Sequence, residues 1–325
     1  MTVHQAEEHV LGLDIGGTKL AAGVVSSTGR VLSYDRTPSM IEQGPDATIE
    51  RLFRLAEGAL RQAGSDITAV GIGCGGPLDV ERGIVLSPPG MRDWAGIPIA
   101  ERATERFGVP AHLDNDGTAG AFGEYLFGPW QPARSLAYLT IGTGIGGGLV
   151  LDGRPYRGST GNGVEFGHLV VDWQGRTCNC GQRGCAEAYV SGTSIAARAR
   201  DALAGGRESI LRHGSVTAAD VAAAARQGDA LATEIWDESM RILGRLVAQV
   251  INAVEPELVV LGGGVTREGQ MLIDPVRRYG LGGVMSPPSV RTQVHLAALG
   301  DQVGVQGAAA ITFDPMRSAS MPGRS

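Results

Sequence analysis

Four glycine strings, each closing an apolar run, constrain this chain most. They are GLDIGGTK at 12–19, GIGCGGP at 71–77, IGTGIGGG at 141–148 and LGGG at 261–264. Glycine at the end of an apolar strand marks a tight turn where backbone comes close to another group. The 50 glycines follow no Gly-x-y period, which excludes a collagen helix. Two strings are alike: LDIGGTKLAAGVV and LTIGTGIGGGLVL both read strand, Gly-rich turn with Thr, returning strand. The repeat predicts two related halves facing each other across a cleft.

The rest of the pattern alternates strand and helix. Val10–Ile15, Leu20–Val25 and Arg30–Tyr34 read as a β-meander, and Ala47–Leu60 as a helix closed by Gly64. Ala69–Gly73 reads as a strand, 98–107 as a helix with Pro98 in its first turn, and 111–113 as a strand running into a helix. Ser135–Ile141, Gly147–Leu151 and Leu258–Leu261 read as strands. Residues 191–254 read as mostly helical, Leu231–Val254 most clearly, with Ser239 a gap in its apolar stripe.

A chain of 325 residues is long enough for two domains with sizeable cores. The net charge of −6 and the lack of basic runs argue against nucleic acid and anionic membranes as partners. No apolar run approaches the roughly 20 residues that span a bilayer. The polar start, MTVHQAEEHV, is wrong for a signal peptide, so a cytoplasmic location is expected.

Three of the four cysteines fall in CNCGQRGC, as Cys178, Cys180 and Cys185, ten residues after His168. Three thiolates and an imidazole make the closed donor set of a structural zinc site, and Gly181 and Gly184 let the loop curl around it. A lasting disulfide is not expected in a cytoplasmic chain. Cys74, alone in an apolar strand, reads as a small core residue. GGTK lacks the P-loop spacing, and the formal GxGxxG at Gly142, Gly144 and Gly147 is followed by a strand rather than a helix. Two Gly/Thr hairpins plus Gly262–Gly264 fit a nucleoside triphosphate better. Asp14, before the first turn, is placed to hold Mg2+ directly or through water. Asp116 opens a helix, where the helix dipole favours its ionised form. The spacing allows either a helix cap or a general base. Glu165 and Glu187 flank the cysteine loop and by themselves read as surface acids.

Taken together, DIGGTK, LDNDGTAGAFGE, IGTGIGGG, EFGH, CNCGQRGCAEAY and VVLGGGV resemble the ROK family, the sugar kinases of glucokinase type above all. The resemblance runs from about Val10 to Ala310, and its most specific part is the cysteine loop with the preceding EFGH. It implies an α/β, two-domain, actin-like ATPase fold (hexokinase-type, ribonuclease H-like) with a cleft between the domains. It places a small domain at 1–115, joined by a C-terminal helix at about 302–314, a large domain at 116–301, and a disordered tail at 315–325. It implies that Asp14, Gly16, Gly17, Thr18 and Lys19 form a first ATP-binding hairpin. Gly142, Thr143, Gly144 and Gly146 form a second, with Gly262, Gly263 and Gly264 beside the adenosine. Asn115 and Asp116 match the family's Asn-Asp pair, in which the Asp is the catalytic base. Glu165, His168 and Glu187 match positions that bind sugar hydroxyls, with His168 also a zinc ligand.

The implied activity is phosphorylation of a hexose 6-hydroxyl by ATP with Mg2+, glucose being the expected sugar and a homodimer the expected assembly. The sequence departs from the family at Gly117-Thr118-Ala119, at Gly90 and in GCGGPLD. The run HLVV…CNCGQRGCAEAYVSG also resembles N-acetylmannosamine kinases, so N-acetylmannosamine or N-acetylglucosamine is the alternative substrate. Polyphosphate is an alternative donor, because Gly strings bind phosphates of either kind. A non-catalytic sugar sensor is a third reading, against which Asp116 counts. With about nine residues ahead of the first hairpin and no basic recognition helix, a repressor is not expected.

Overall fold

The computed structural model describes residues 7–88, 91, 93–211 and 215–314. The expected tail at 315–325 and Gly90 lie outside them. Two compact units divide the chain. One takes in the chain up to Pro132, Gly148–Val164 and the chain from Ala298 on. The other comprises Ala133–Gly147 and Glu165–Ala297.

The first unit opens on the predicted meander: β1 (His9–Ile15), β2 (Lys19–Ser26) and β3 (Val31–Pro38). Helix α1 (Pro45–Ala63) ends at Gly64, whose φ of 62° lets it cap the last turn. Then come β4 (Ala69–Cys74), a small β5–β6 ribbon (Leu78–Asp79, Ile84–Val85), α2 (Ile99–Phe107), β7 (Ala111–Asn115) and α3 (Asp116–Phe127). Pro98 precedes α2 as its cap residue rather than lying in its first turn, as the sequence had suggested. The sheet runs β3-β2-β1-β4-β7, antiparallel across the meander and parallel thereafter.

The chain continues through β8 (Ser135–Ile141), β9 (Ile145–Leu151) and β10 (Arg154–Tyr156), then α4 (Glu187–Val190), α5 (Gly192–Ala204), α6 (Ala218–Arg226) and α7 (Ala230–Val254). It ends with β11 (Leu258–Gly262), α8 (Gln270–Gly282), α9 (Pro288–Arg291), β12 (Gln293–Leu296) and α10 (Val303–Ala310). The second sheet runs β10-β9-β8-β11-β12, the same order of a three-strand start followed by two parallel additions. The likeness of the two Gly-rich hairpins in sequence thus extends to the topology of both sheets.

Alternation along β1 sets the layers of the first unit. Leu11, Leu13 and Ile15 point into a core with Leu52, Phe53 and Ile99, while Val10 packs with Val305 and Ala309 of α10 on the other face. Gly23, Gly12 and Gly71 pair side by side across β2, β1 and β4. A Cβ on Gly12 would lie 2.2 Å from the Val305 carbonyl oxygen, and one on Gly71 1.7 Å from that of Ala308. This row is a trough that lets α10, rich in small residues, lie against the sheet backbone. Cys74 is buried in the first core, as a small apolar residue should be.

In the second unit the apparent gap in α7 has a partner. Ser239 is fully buried, accepts a hydrogen bond from Arg198 and donates to the Ile235 carbonyl. Arg198 also pairs with Glu238 and donates to the Tyr189 carbonyl, tying α4, α5 and α7 together.

Candidate active site

The first hairpin lies in the first unit. Asp14 is the last residue but one of β1, and Gly16 N–H donates to the Lys19 carbonyl, closing the GGTK turn at 3.0 Å. Gly17 and Thr18 are exposed. Ser39 holds the turn from behind: its N–H donates to the Thr18 carbonyl and its hydroxyl to the Gly17 carbonyl. Nothing in the sequence had singled Ser39 out. Asp14 is buried, and desolvation pushes its carboxyl up to about 6. Lys19 opposes that rise and Asp116 adds to it. A desolvated carboxylate of this kind is one whose ionised form a cation stabilises, so Asp14 fits a Mg2+ role.

Asn115 and Asp116 stand where β7 becomes α3. The side chain of Asn115 caps the helix, accepting from the N–H groups of Gly117 and Thr118 at 2.9 and 3.2 Å. The cap that the sequence offered to Asp116 therefore belongs to its neighbour. Asp116 Oδ1 takes a second bond from Gly117 N–H at 2.8 Å. The sequence also had the helix dipole keeping Asp116 ionised. Desolvation by the surrounding protein instead pushes its carboxyl up, against the lowering effect of the Gly117 N–H. The side chain itself is exposed, so water offsets part of that push.

Behind this corner sits a cluster the sequence did not reveal. Arg157 donates to Asp114 Oδ2 through Nε at 2.8 Å, and its Nη2 forms ion pairs with Asp114 Oδ2 at 2.7 Å and with Asp314 Oδ2 at 2.9 Å. Asp114 Oδ1 accepts from Asn115 N–H at 3.0 Å. Nearby, Asn162 exchanges hydrogen bonds with both backbone groups of Leu78, just past the GCGGP string.

The second hairpin, the cysteine loop and LGGG lie in the second unit. Gly142 N–H donates to the Gly144 carbonyl at 2.9 Å, closing the turn between β8 and β9. Gly263 has a φ of 90°, and a Cβ there would lie 2.5 Å from the Ile141 carbonyl oxygen, so only glycine fits. Glu165 is exposed and precedes a 3-10 turn over Phe166–His168. Glu187 opens α4. It is half-buried rather than the surface acid its position had suggested, and its Oε2 accepts the N–H of Ile145 at 2.7 Å.

The donor atoms of His168, Cys178, Cys180 and Cys185 all lie within 4.8 Å of one another. Cys180 and Cys185 sulfurs are 3.7 Å apart, and Cys178 Sγ is 3.7 Å from His168 Nδ1. Sulfur bonds of about 2.3 Å around a tetrahedral ion place the sulfurs about 3.8 Å apart. The set fits Zn2+, with Nδ1 of His168 the ring nitrogen that lies against a cysteine sulfur. Burial pushes the Cys185 thiol up to about 12, and a divalent ion is what would draw the protons off. The loop depends on both of its predicted glycines. Gly181 and Gly184 have φ of 89° and 79°, and a Cβ on Gly184 would lie 1.8 Å from the Asp172 carbonyl oxygen.

Two Gly/Thr hairpins on sheets of the same strand order are the architecture of the actin-like ATPase class. The ROK family profile matches residues 10–314, and the chain belongs to the ROK family. It is 38% identical over 309 residues to a glucokinase of Thermotoga maritima, covering 93% of this chain and 96% of that one. An N-acetylmannosamine kinase of Citrobacter koseri is 34% identical over 256 residues, 78% of this chain and 83% of that one. Among solved structures, a ROK family glucokinase from Streptomyces griseus in complex with glucose and AMPPNP superposes with a TM-score of 0.80 at 34% identity, covering 94% and 99% of the two chains. No helix among the described residues is long and apolar enough to cross a membrane.

Proposed function

We propose that this chain is an ATP-dependent hexokinase that transfers the γ-phosphoryl of ATP to the 6-hydroxyl of glucose. One observation carries the reading: Asn115, not Asp116, caps α3, so only one oxygen of the Asp116 carboxylate is engaged at the helix end. Its Oδ1 is steered by the Gly117 N–H, which leaves Oδ2 to accept a proton. A carboxyl pushed up from its usual range is a stronger base for a sugar hydroxyl than an ordinary surface Asp.

Phosphoryl transfer needs positioning and charge neutralisation more than covalent help. The turns at 16–19 and 142–146 would bind the phosphates through amides not already bonded within the protein, with Gly262–Gly264 beside the adenosine. Asp14 would hold a Mg2+ ion, which supplies charge neutralisation. Asn115, Glu165, Glu187 and the Nε2 of His168 would bind sugar hydroxyls, and Asp116 would take the proton as the 6-oxygen attacks. His168, Cys178, Cys180 and Cys185 would hold a structural Zn2+ that fixes the ring of His168 and the loop leading to Glu187. The glucokinases among its relatives support glucose. The N-acetylmannosamine kinase supports a second reading, a 2-acetamido sugar. The homodimer is a proposal from the family, checked by light scattering.

The test is ADP release by purified protein with ATP and Mg2+ against glucose, mannose, N-acetylglucosamine and N-acetylmannosamine, with polyphosphate as a second donor. Release with glucose well above the others is expected. Release with N-acetylmannosamine alone would replace glucose by the second reading. Silence with every sugar and both donors, from folded zinc-loaded protein, would refute the kinase.

A further inference from the structure

We propose that Glu187 is a positioning residue for the second phosphate hairpin as well as a sugar contact, an inference that rests on the kinase reading above. Its Oε2 accepts the Ile145 N–H at 2.7 Å, at the point where the turn becomes β9. A Cβ on Gly144 would lie 2.6 Å from that same oxygen, so the glycine is what admits the carboxylate to the turn. The other end of the turn is held from the same direction. Gly192 N–H, at the start of α5, donates to the Gly142 carbonyl at 2.8 Å. The whole turn is therefore fastened to α4 and the first residue of α5, the segment that directly follows Cys185. The second oxygen of Glu187 lies 3.9 Å from Cys178 Sγ, so one half-buried carboxylate touches both the cysteine loop and the hairpin.

The physical consequence concerns preorganisation. A hydrogen bond to an ionised acceptor away from bulk water is among the stronger ones. Without it the Ile145 N–H loses its partner, and the turn must be ordered at the expense of nucleotide binding. A residue acting only on the sugar would leave nucleotide affinity in the absence of sugar untouched. A residue that also fixes the hairpin would not.

The experiment measures binding of a non-hydrolysable ATP analogue with Mg2+ and no sugar, by calorimetry, on the full zinc-loaded chain. Glu187→Ala is expected to weaken binding about tenfold, the effect of a lost charge-assisted bond. Glu187→Gln keeps an oxygen able to accept from Ile145 and is expected to stay within about threefold of the wild type. Glu187→Asp keeps the charge but is one methylene too short, and is expected to behave like Glu187→Ala. It carries the test should the alanine variant not fold. Wild-type affinity in the folded alanine or aspartate variant would overturn the inference, as would a glutamine variant no better than alanine. A wild-type protein that binds no analogue would instead refute the nucleotide reading of the hairpin, and this inference with it.

Discussion

Replacing Arg157 by methionine tests the buried ionic cluster behind the Asn115-Asp116 corner. The side chains of Asp114 and Asp314 are 0% exposed, and that of Arg157 is 19% exposed. Methionine keeps much of the length and apolar stem of the side chain but removes the charge, so two buried carboxylates are left facing each other without their shared cation. Removing one partner of a buried ionic group typically costs about 3–5 kcal/mol, because the remaining charge has neither water nor a counter-ion. For a unit of this size each kcal/mol moves the midpoint by about 2–4 °C, so thermal unfolding is expected roughly 6–20 °C lower. Turnover is expected to fall as well, because Asp114 Oδ1 holds the Asn115 N–H and so fixes the backbone that carries Asp116. Differential scanning calorimetry on the zinc-loaded protein reads the first effect, and ADP release at a temperature where the variant is folded reads the second. Arg157→Lys, with one charge but no fork to bridge both carboxylates, should fall between the two. A midpoint shift under about 3 °C in Arg157→Met would refute the assignment of the cluster as a stabilising anchor.

Asp116→Asn should retain sugar binding by calorimetry and lose about 10²- to 10⁴-fold in kcat, and full activity would exclude Asp116 as the base. Cys185→Ser should lose zinc, read by elemental analysis, together with sugar affinity. A variant that kept its zinc would remove Cys185 from the ligand set, and one that lost zinc but kept sugar affinity would show that the metal does not organise the sugar site. The third concerns pH. The Asp14 carboxyl is raised in the folded protein to about 6 from an ordinary 3.8, so the native state holds the proton more tightly than the unfolded state. The contribution of Asp14 to stability is therefore greatest below about pH 4, declines between about 4 and 6, and levels off above, its full span being about 3 kcal/mol. Asp14→Asn should remove that slope, unfold at a higher temperature than wild type at pH 7.5, and lose turnover. A variant less stable than wild type at that pH would refute the burial argument.

Much of the site was legible because its residues sit in short, contiguous motifs. The cysteine loop announced its donor set, since three thiolates within a few residues of one another have few other uses. Its glycines were legible for the same local reason. The positions of β1, β2, α1 and β8 followed from period and punctuation. What local reading mistook was the helix end at Asn115-Asp116. Either side chain can cap by chemistry, and only the backbone path decides which does. Ser39 and Arg157 went unnoticed for another reason. Ser39 is distant in sequence from the turn it holds, as Arg157 is from Asp114 and Asp314, and neither carries a local pattern.

The sequence by itself determined the repeated hairpins, the cysteine loop and the family, because each depends on side chains that are neighbours along the chain. Only the tertiary structure decided how those pieces are held. It set Gly12, Gly23 and Gly71 in one row, a trough for α10. It gave Glu187 a backbone partner 42 residues away. It buried Asp14 and so lifted its carboxyl. Each of these depends on what lies opposite a residue across a sheet or against a helix. Packing fixes that, and no spacing along a single strand or helix encodes it.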